Sequence, residues 1–233
     1  IIPQKEQKVN LIQRIHGHGQ AHAHDEQTAH SLDAPFWVRY YDIVVNLITL
    51  GRTRAIHRET LSLAGLRPGN SVLDIGCGTG VLLLEAERMV GPEGTVVGLD
   101  VEPAMIKQAR RRASDNNSRA SFEIAPVDQI PYPDSTFDVA FSTLMYHHLT
   151  DTQKREGLVE LERVLVPNGR LILVDINPTR RSILTSLPGH SRLDREDYVR
   201  HEVTEGMQAA GFTVVDTGAH PSKQLSYAIG QKV

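Results

Sequence analysis

The most restrictive feature of the chain is a glycine-rich turn, VLDIGCGTG, at residues 72–80. Gly76, Gly78 and Gly80 have no β-carbon, so the backbone can take a positive φ at each of them and approach a ligand closely. A helical run follows, and the first backbone N–H groups of a helix have no carbonyl partner within that helix. The segment therefore predicts a strand, a tight ligand-binding turn and a helix N-terminus in succession.

Downstream of this turn, strand-like and helix-like patterns alternate. The predicted strands are nearly continuous apolar runs, which are typical of a parallel sheet covered by helices on both faces. The strands are SVLDIG, TVVGLD, ASFEIA, FDVAFSTL and RLILVDI, and the helices are VLLLEAERMV, EPAMIKQARRRASDN and DTQKREGLVELERVLV, with turns at GPEG and PNG. Only HPSK separates the last two strand-like runs, GFTVVDTGA and QLSYAIGQ, whereas a parallel crossover needs about a dozen residues. The last strand is therefore predicted to be antiparallel to its neighbour.

Two segments precede this alternating region, which we place at residues 67–233. Residues 1–33 form a polar, His-rich arm, and residues 34–66 are apolar at helical spacing and predict one or two helices that end near Gly65. The arm is a candidate contact for a homodimer. Its His-x-His pairs would suit Zn²⁺, Ni²⁺ or Cu²⁺, but their spacing is irregular and no cysteine joins them, so we predict no metal site.

Charge and cysteine content narrow the function. A net charge of −3 at pH 7 gives no basic surface for nucleic acid or an anionic membrane. The dense basic run RRR at residues 110–112 is predicted to be a solvated helix face. The single cysteine excludes an intramolecular disulfide. Without a signal-peptide pattern or a long apolar run, the sequence predicts a cytoplasmic protein with no membrane span.

The glycine spacing bears on which cofactor the turn holds. A dinucleotide-binding turn has the pattern G-x-G-x-x-G, whereas this turn is G-x-G-x-G and closes one residue earlier. Asp100 ends the second predicted strand, where a carboxylate can accept hydrogen bonds from both hydroxyls of a ribose. That position serves any adenosine cofactor. A nucleotide-dependent oxidoreductase therefore stays open at this point, although the sequence shows no nicotinamide-binding half.

From about Tyr41 to its C-terminus the chain resembles the class I S-adenosylmethionine (SAM)-dependent methyltransferases, in particular the small-molecule group that includes the ubiquinone/menaquinone C-methyltransferases. The resemblance rests on VLDIGCGTG, VVGLDVEPAMIKQAR, IPYPDSTFDVAFSTLMYHHL, LVELERVLVPNGRLILVDINP and the AAGF before the final strands. It implies a three-layer, Rossmann-like α/β fold with a mostly parallel seven-stranded sheet, an antiparallel last strand and an N-terminal helical cap. It also implies methyl transfer from SAM to an oxygen, nitrogen or carbon of a small molecule, with S-adenosylhomocysteine as product.

Carried over position by position, the resemblance implies a set of cofactor-binding residues. The glycine turn would hold the methionyl group, Asp100 the ribose hydroxyls, and Val101 and Met105 the adenine. Tyr41, at the end of the aromatic stretch FWVRYY, would face the sulfonium, unless that stretch is simply the apolar side of a helix. The full predicted set is Tyr41, Asp74, Gly76, Cys77, Gly78, Gly80, Asp100, Val101, Met105, Val127, Asp128 and Ser142.

The chain departs from the family pattern in the adenine site. The family has Gly-Asp-Ala before a Leu-Pro step, with the aspartate accepting from the adenine amino group, whereas this chain has Ala125, Pro126 and Val127. Asp128 is a substitute acceptor, and the Val127 N–H is a candidate donor to a ring nitrogen. The altered position also keeps open a non-catalytic protein that retains the fold for binding or regulation.

Several residues have two interpretations each. His147 and His148 follow the predicted strand FDVAFSTL, at the carboxyl edge where α/β sheets bind ligands. They are our candidate catalytic residues because imidazole titrates near neutral pH, or else they line the methionyl pocket. Asp175 would orient the substrate or cap the turn after its strand. Cys77 is either a thiol activated by a helix N-terminus or a small residue tolerated between glycines.

Overall fold

The structure is a computed structural model that describes residues 51–176, 199–221 and 225–233. The His-rich arm, the predicted cap as far as residue 50, and residues 177–198 lie outside this part of the chain. Tyr41 and the aromatic stretch that contains it lie outside it as well. The homodimer contact and the contact of Tyr41 with the sulfonium therefore stay predictions.

Within the described residues, seven strands form one sheet in the order β3-β2-β1-β4-β5-β7-β6. The strands are β1 Ser71–Ile75, β2 Thr95–Asp100, β3 Ser121–Ile124, β4 Phe137–Thr143, β5 Leu165–Ile176, β6 Phe212–Ala219 and β7 Leu225–Lys232. Neighbouring strands are parallel except where β7 is involved, since β7 is antiparallel to both β5 and β6. The predicted mostly parallel sheet with an antiparallel last strand is confirmed.

Helices connect these strands, and their ends follow from local sequence. They are α1 Thr53–Ala64, α2 Val81–Val90, α3 Pro103–Asp115, α4 Asp151–Val164 and α5 Thr204–Ala209, with a 3-10 turn at Tyr146–His148 and a π-helical turn at Val199–Val203. α3 begins with Pro103, and Glu102 caps it by accepting from a backbone N–H of its first turn. α4 begins with a capping box made by Thr150 and Gln153. α1 ends at Ala64, next to the predicted Gly65, which caps the helix in the left-handed conformation.

The helices cover both faces of the sheet, which explains why the central strands β1, β2 and β4 are buried along most of their length. In β1, Val72 belongs to one buried cluster and Leu73 to the other, because successive side chains of a strand point to opposite faces. The cluster of Val72 includes residues of α1, α2 and α3, and the cluster of Leu73 includes residues of α4 and α5. This is the predicted three-layer arrangement.

The described part of the predicted cap, α1, packs on the sheet near β5. Ile56 and Leu61 are buried in the same cluster as Val72 of β1. Arg170 of β5 donates to the carbonyls of the last two residues of α1, at 3.3 and 2.9 Å, and so ties the end of this helix to the sheet. A covering role over the site stays a prediction for the residues before 51.

The predicted turn PNG is part of β5 and does not precede it. Phe137 of β4 is opposite Leu165, but Val139 is opposite Arg170, so β5 carries extra residues between these two pairs. Asn168 takes a positive φ of 64° in this bulge. Because β5 already pairs with β4 at its first residue, α4 ends just before it, and the predicted extension of that helix by two residues is wrong.

The basic run at residues 110–112 is predicted to be a solvated helix face, and Arg110 and Arg111 are exposed, whereas Arg112 is half-buried. Arg110 donates to the Phe122 carbonyl through Nε and Nη2, at 2.9 and 2.7 Å. Arg112 donates to a carbonyl of the glycine turn at 2.5 Å. Arg111 pairs with an aspartate one helical turn later. The run therefore fastens α3 to β3 and to the glycine turn.

The close packing of the glycine turn gives a stability test. A β-carbon on Gly80, where φ is +76°, would come within 2.7 Å of the Phe122 ring. We expect Gly80→Ala to lower the free energy of unfolding by about 3–4 kcal/mol, because left-handed strain and overpacking add. Gly65→Ala is the matched control, since φ is +60° there but the nearest atom is the flexible end of Arg170 at 3.0 Å. Its expected loss is about 1–2 kcal/mol.

Chemical denaturation of both variants measures the difference. Equal losses at the two positions would contradict a turn held in place by its contact with Phe122.

Candidate functional site

A cleft of about 320 Å³ opens at the carboxyl ends of β1, β2 and β4. The connection from β1 leads to β2 on one side and the connection from β4 leads to β5 on the other, so the chain leaves these two neighbouring strands in opposite directions. Open α/β sheets bind ligands at such a switch point. The glycine turn forms one wall of the cleft, the residues after β2 and β3 form a second, and the residues after β4 form a third.

The glycine turn bends as predicted but uses its own N–H groups within the chain. Gly76, Gly78 and Gly80 all have positive φ, from 52° to 76°. The N–H groups of Gly76 and Cys77 both donate to the Leu99 carbonyl. The Gly78 N–H donates to the carboxylate of Asp100, at the end of β2, and the Gly80 N–H donates to the Cys77 carbonyl. These four N–H groups therefore hold the shape of the turn itself.

Asp100 ends β2 and is fixed by the turns on either side of it. Its Oδ2 accepts from the Gly78 N–H at 2.9 Å, and its Oδ1 accepts from the Glu102 N–H at 2.9 Å. The residue also lines the cleft. Each carboxylate oxygen has further acceptor capacity, so the group can still accept from two ligand hydroxyls.

Asp74 lies in β1 below the glycine turn and is 2% exposed. Burial, together with the negative charge of Asp100, raises the pKa of Asp74 from its ordinary value of 3.8 to about 8. The two carboxylates repel each other when both are ionised. The end of the cleft nearest them therefore favours a ligand that carries positive charge.

Cys77 is a packing residue. It is 8% exposed, and a β-carbon on Gly98 would lie 2.8 Å from its Sγ. Burial and the charges of Asp74 and Asp100 raise the pKa of the thiol. Because the thiolate is the nucleophile, this environment supports the interpretation of Cys77 as a small residue between glycines.

The burial of this thiol has a direct test. We expect Cys77 to react with a thiol reagent at least about 100-fold more slowly in the folded protein than in concentrated guanidinium chloride, because burial and the raised pKa withhold the thiolate. Cys77 is the single cysteine of the chain, so mass spectrometry after labelling follows one product. Comparable rates in the two states would contradict a buried, protonated thiol.

The second wall of the cleft is apolar. Val101 is 64% exposed there, Met105 of α3 is buried, and Val127 lines the cleft beside them. The structure therefore brings together the residues predicted for the adenine. Pro126, at the position of the family aspartate, also lines the cleft. Asp128 does not line it, although its Oδ1 is buried and bonds to no donor within the described ranges.

The third wall, after β4, contains residues that sequence reasoning missed. Leu144 has a positive φ of 56°, a strained conformation for a residue other than glycine. Met145 covers Gly76, where a β-carbon would lie 2.3 Å from its Cγ. Thr143 lines the cleft, and its Oγ1 is buried with no hydrogen-bond partner in the described part of the chain. Ser142, the residue predicted from this strand, is 1% exposed and does not line the cleft.

The structure gives the two histidines different positions. His147 Nδ1 is 2.6 Å from Asp175 Oδ1, and the His147 backbone N–H donates to Asp175 Oδ2 at 2.8 Å. Both side chains are buried, with exposures of 6% and 0%. His148 is exposed and lines the cleft, with its ring centroid 3.9 Å from that of His147. Asp175 therefore holds the 3-10 turn that carries both histidines, a role that neither sequence interpretation included.

The predicted site residues that the structure describes thus divide into two groups. Those that line the cleft are Gly76, Gly78, Asp100, Val101, Met105, Val127 and His148. Those that pack below or beside it are Asp74, Cys77, Gly80, Asp128, Ser142 and His147. Lining residues that were not predicted include Glu102, Thr143, Leu144, Met145, Leu149 and Gln153. For Glu102, Leu144 and Met145 the available signal was their position just after β2 or β4, whereas Leu149 and Gln153 lie farther along the chain and had no such signal.

Two further properties concern only residues 51–176, 199–221 and 225–233. In these ranges no group of three or more His, Cys, Asp or Glu side chains is arranged to hold a metal ion. The same ranges contain no helix whose length and apolar character would let it cross a membrane. The histidines considered as metal ligands in the arm lie outside them.

A parallel sheet with an antiparallel β7 between β5 and β6, and a carboxylate-flanked cleft at its switch point, define a class I methyltransferase domain. A family model described as "Methyltransferase domain" matches residues 66–227, and the chain belongs to this family. The class of protein and the SAM dependence predicted from the sequence are confirmed at the level of the family.

Individual relatives agree with this assignment. The chain is 36% identical over 147 residues to the ubiquinone/menaquinone biosynthesis C-methyltransferase UbiE of Pseudomonas paraeruginosa, a match that covers 62% of this chain and 57% of UbiE. The chain therefore spans less than two thirds of that relative. Its fold is similar to a SAM-dependent methyltransferase from Aquifex aeolicus, with a TM-score of 0.69, 24% identity and coverage of 84% and 97%. It is also similar to the cyclase SpnF, with a TM-score of 0.64, 17% identity and coverage of 84% and 93%.

Proposed function

We propose that this protein transfers a methyl group from SAM to a nucleophilic oxygen, nitrogen or carbon of a small molecule. The observation that carries the proposal is Asp100, which two backbone N–H groups fix at the edge of a cleft between the glycine turn and the exposed Val101. A ribose bound by that carboxylate would have its base on the apolar wall and its 5′ substituent beside the glycine turn.

The residues present fit SAM by charge and by polarity. Asp74 and Asp100 favour a cation at the glycine-turn end, which suits the ammonium and sulfonium groups of the cofactor. Val101 and Met105 offer apolar surface to a purine. When bound, SAM supplies an electrophilic methyl group on a sulfonium sulfur.

The chain itself would contribute alignment and exclusion of water. Met145 and Leu149 present apolar side chains to the cleft near the turn, where the acceptor would enter. His148, which lines the cleft, would take a proton from an oxygen or nitrogen acceptor as the methyl group transfers. Asp175 would act on His148 only indirectly, by holding His147 and the turn they share.

A small acceptor agrees with the cleft volume of about 320 Å³ and with a net charge of −3, which offers no basic surface to a nucleic acid. The name of UbiE makes the ring carbon of a quinol the first acceptor to test, followed by phenols, amines and lipid head groups. We place the reaction in the cytoplasm, a reducing compartment that suits a chain with a single cysteine.

Calorimetric titration of the protein with SAM, S-adenosylhomocysteine and NAD tests the proposal. We expect SAM and S-adenosylhomocysteine to bind and NAD not to bind. Binding of NAD alone would instead support the nucleotide-dependent oxidoreductase considered from the sequence. Transfer of labelled methyl from SAM to the acceptor series then identifies the nucleophile.

A second candidate function is a protein that binds the cofactor without transferring its methyl group. Pro126, which replaces the family aspartate in the cleft wall, favours it, and SpnF shows that a similar fold occurs in a protein described as a cyclase. SAM binding with no methyl transfer to any acceptor would favour this second function.

A further inference from the structure

Gln153 lines the cleft, yet no role has been assigned to it. It is the third residue of α4, and its side chain belongs to the capping box at the start of that helix. A glutamine has two hydrogen-bonding ends, a carbonyl oxygen that accepts and an NH₂ group that donates. The capping box engages one of these ends.

The hydrogen bonds of the capping box show which end of the Gln153 amide they use and which end they do not. Gln153 Oε1 accepts from the Thr150 N–H at 3.1 Å and from Thr150 Oγ1 at 3.0 Å. A backbone N–H can only donate, so the amide atom beside it must be the oxygen. The Gln153 NH₂ group therefore points away from the cap, and within the described ranges it donates to no protein acceptor.

The position of α4 places this donor at the apolar wall. Gly157 lies one helical turn after Gln153, on the same face of α4, and a β-carbon there would lie 2.7 Å from Val127 Cγ2. That face of the helix therefore packs directly against the segment that contains Pro126 and Val127. Glu160 of the same helix accepts from the Ile130 N–H at 2.9 Å and so holds the segment along α4.

We propose that the Gln153 NH₂ group donates a hydrogen bond to a ring nitrogen of the cofactor adenine. The proposal rests on the proposed function, because it assumes that the cleft holds SAM. Adenine carries unprotonated ring nitrogens that accept hydrogen bonds, and Pro126 beside it has neither a backbone N–H nor a polar side chain to meet them. Gln153 is then a binding residue that fixes the orientation of the purine.

Gln153→Glu is the sharpest variant, because a glutamate can still accept from the Thr150 N–H while it has no NH₂ group to donate. We expect thermal unfolding to be unchanged within about 2 °C. Binding of S-adenosylhomocysteine, which has no sulfonium charge, should weaken about tenfold in calorimetry. Gln129→Glu is the matched control, since Gln129 is exposed, does not line the cleft and undergoes the same change of charge. The affinity of Gln129→Glu for S-adenosylhomocysteine should stay within about twofold of that of the wild type.

Deaza analogues of S-adenosylhomocysteine identify the nitrogen that is bound. We expect one of the 1-, 3- and 7-deaza analogues to bind the wild type about tenfold more weakly than the parent compound, and to show no such difference with Gln153→Glu. Equal affinity of the wild type and Gln153→Glu would overturn the proposal, as would a deaza penalty that persists in the variant. If the wild type binds neither S-adenosylhomocysteine nor SAM, the proposed function itself fails.

Discussion

Asp100→Ala is expected to raise the Kd for SAM by at least about 100-fold, because a carboxylate hydrogen-bonded to two ribose hydroxyls contributes several kcal/mol. The carboxylate is already oriented before any ligand arrives. The Gly78 and Glu102 N–H groups hold its two oxygens at 2.9 Å each. Little side-chain freedom remains to be lost on binding, so the full interaction appears in the affinity.

The variant also removes an acceptor for these two N–H groups, so its fold must be checked by circular dichroism. His148→Ala is the control within the same cleft. His148 is exposed and supplies neither of the two N–H groups that hold Asp100, so the Kd for SAM should stay within about threefold of the wild type while methyl transfer falls. Equal losses of SAM affinity in the two variants would contradict this division between binding and chemistry.

Asp74→Asn is expected to make the protein more stable and its cofactor binding weaker, with both effects growing as pH rises. The pKa of Asp74 is about 8 in the folded chain, whereas its ordinary value of 3.8 applies in the unfolded chain. Between these values the unfolded state binds fewer protons. The contribution of Asp74 to the free energy of unfolding therefore falls as pH rises from about 4 to about 8 and is constant above that range.

Asparagine does not ionise, so the free energy of unfolding of Asp74→Asn does not fall in this way as pH rises. At pH 8.5 we expect its unfolding midpoint to lie roughly 5 °C above that of the wild type, which corresponds to about 2 kcal/mol in a chain of this size. Near pH 4 the two midpoints should converge. Differential scanning calorimetry across this pH range measures the unfolding midpoints of the wild type and Asp74→Asn. A difference between the two midpoints that is the same at every pH would contradict a titrating Asp74.

The same group should couple cofactor binding to pH. A cationic ligand favours the ionised form of Asp74, so the wild type should bind SAM more tightly as pH rises towards about 8. Asp74→Asn should bind about tenfold more weakly than the wild type at pH 8.5, and the ratio should narrow below pH 7. Calorimetric titrations in buffers of different ionisation enthalpy would also detect the proton that the wild type releases on binding.

The strands and helices were predictable because burial on two faces leaves a simple pattern. The run VLLLEAERMV coincides with α2, and the apolar run TVVGLD coincides with β2. Asp100 was found because a parallel strand must end at the ligand edge of the sheet, so its last residue is fixed by the strand itself. The antiparallel direction of β7 followed from the length of one connection.

The features that were missed depend on contacts between distant parts of the chain. Asp175 holds His147 across 28 positions, and Arg112 reaches the Thr79 carbonyl across 33. Neither contact has a periodic signal, because each depends on how a helix or turn settles on the sheet. Met145 was missed for the same reason, since its place over Gly76 follows from the left-handed Leu144 before it. The resemblance identified the segment, but only packing decides which of its side chains face the cleft.

A crystal structure of the protein with saturating S-adenosylhomocysteine tests where the cofactor is held. We expect the ribose hydroxyls on Asp100, the adenine between Val101 and Val127, and the homocysteine chain beside Gly76. A cleft that stays empty while the ligand occupies another surface, or ribose hydroxyls that do not reach Asp100, would contradict the site described here.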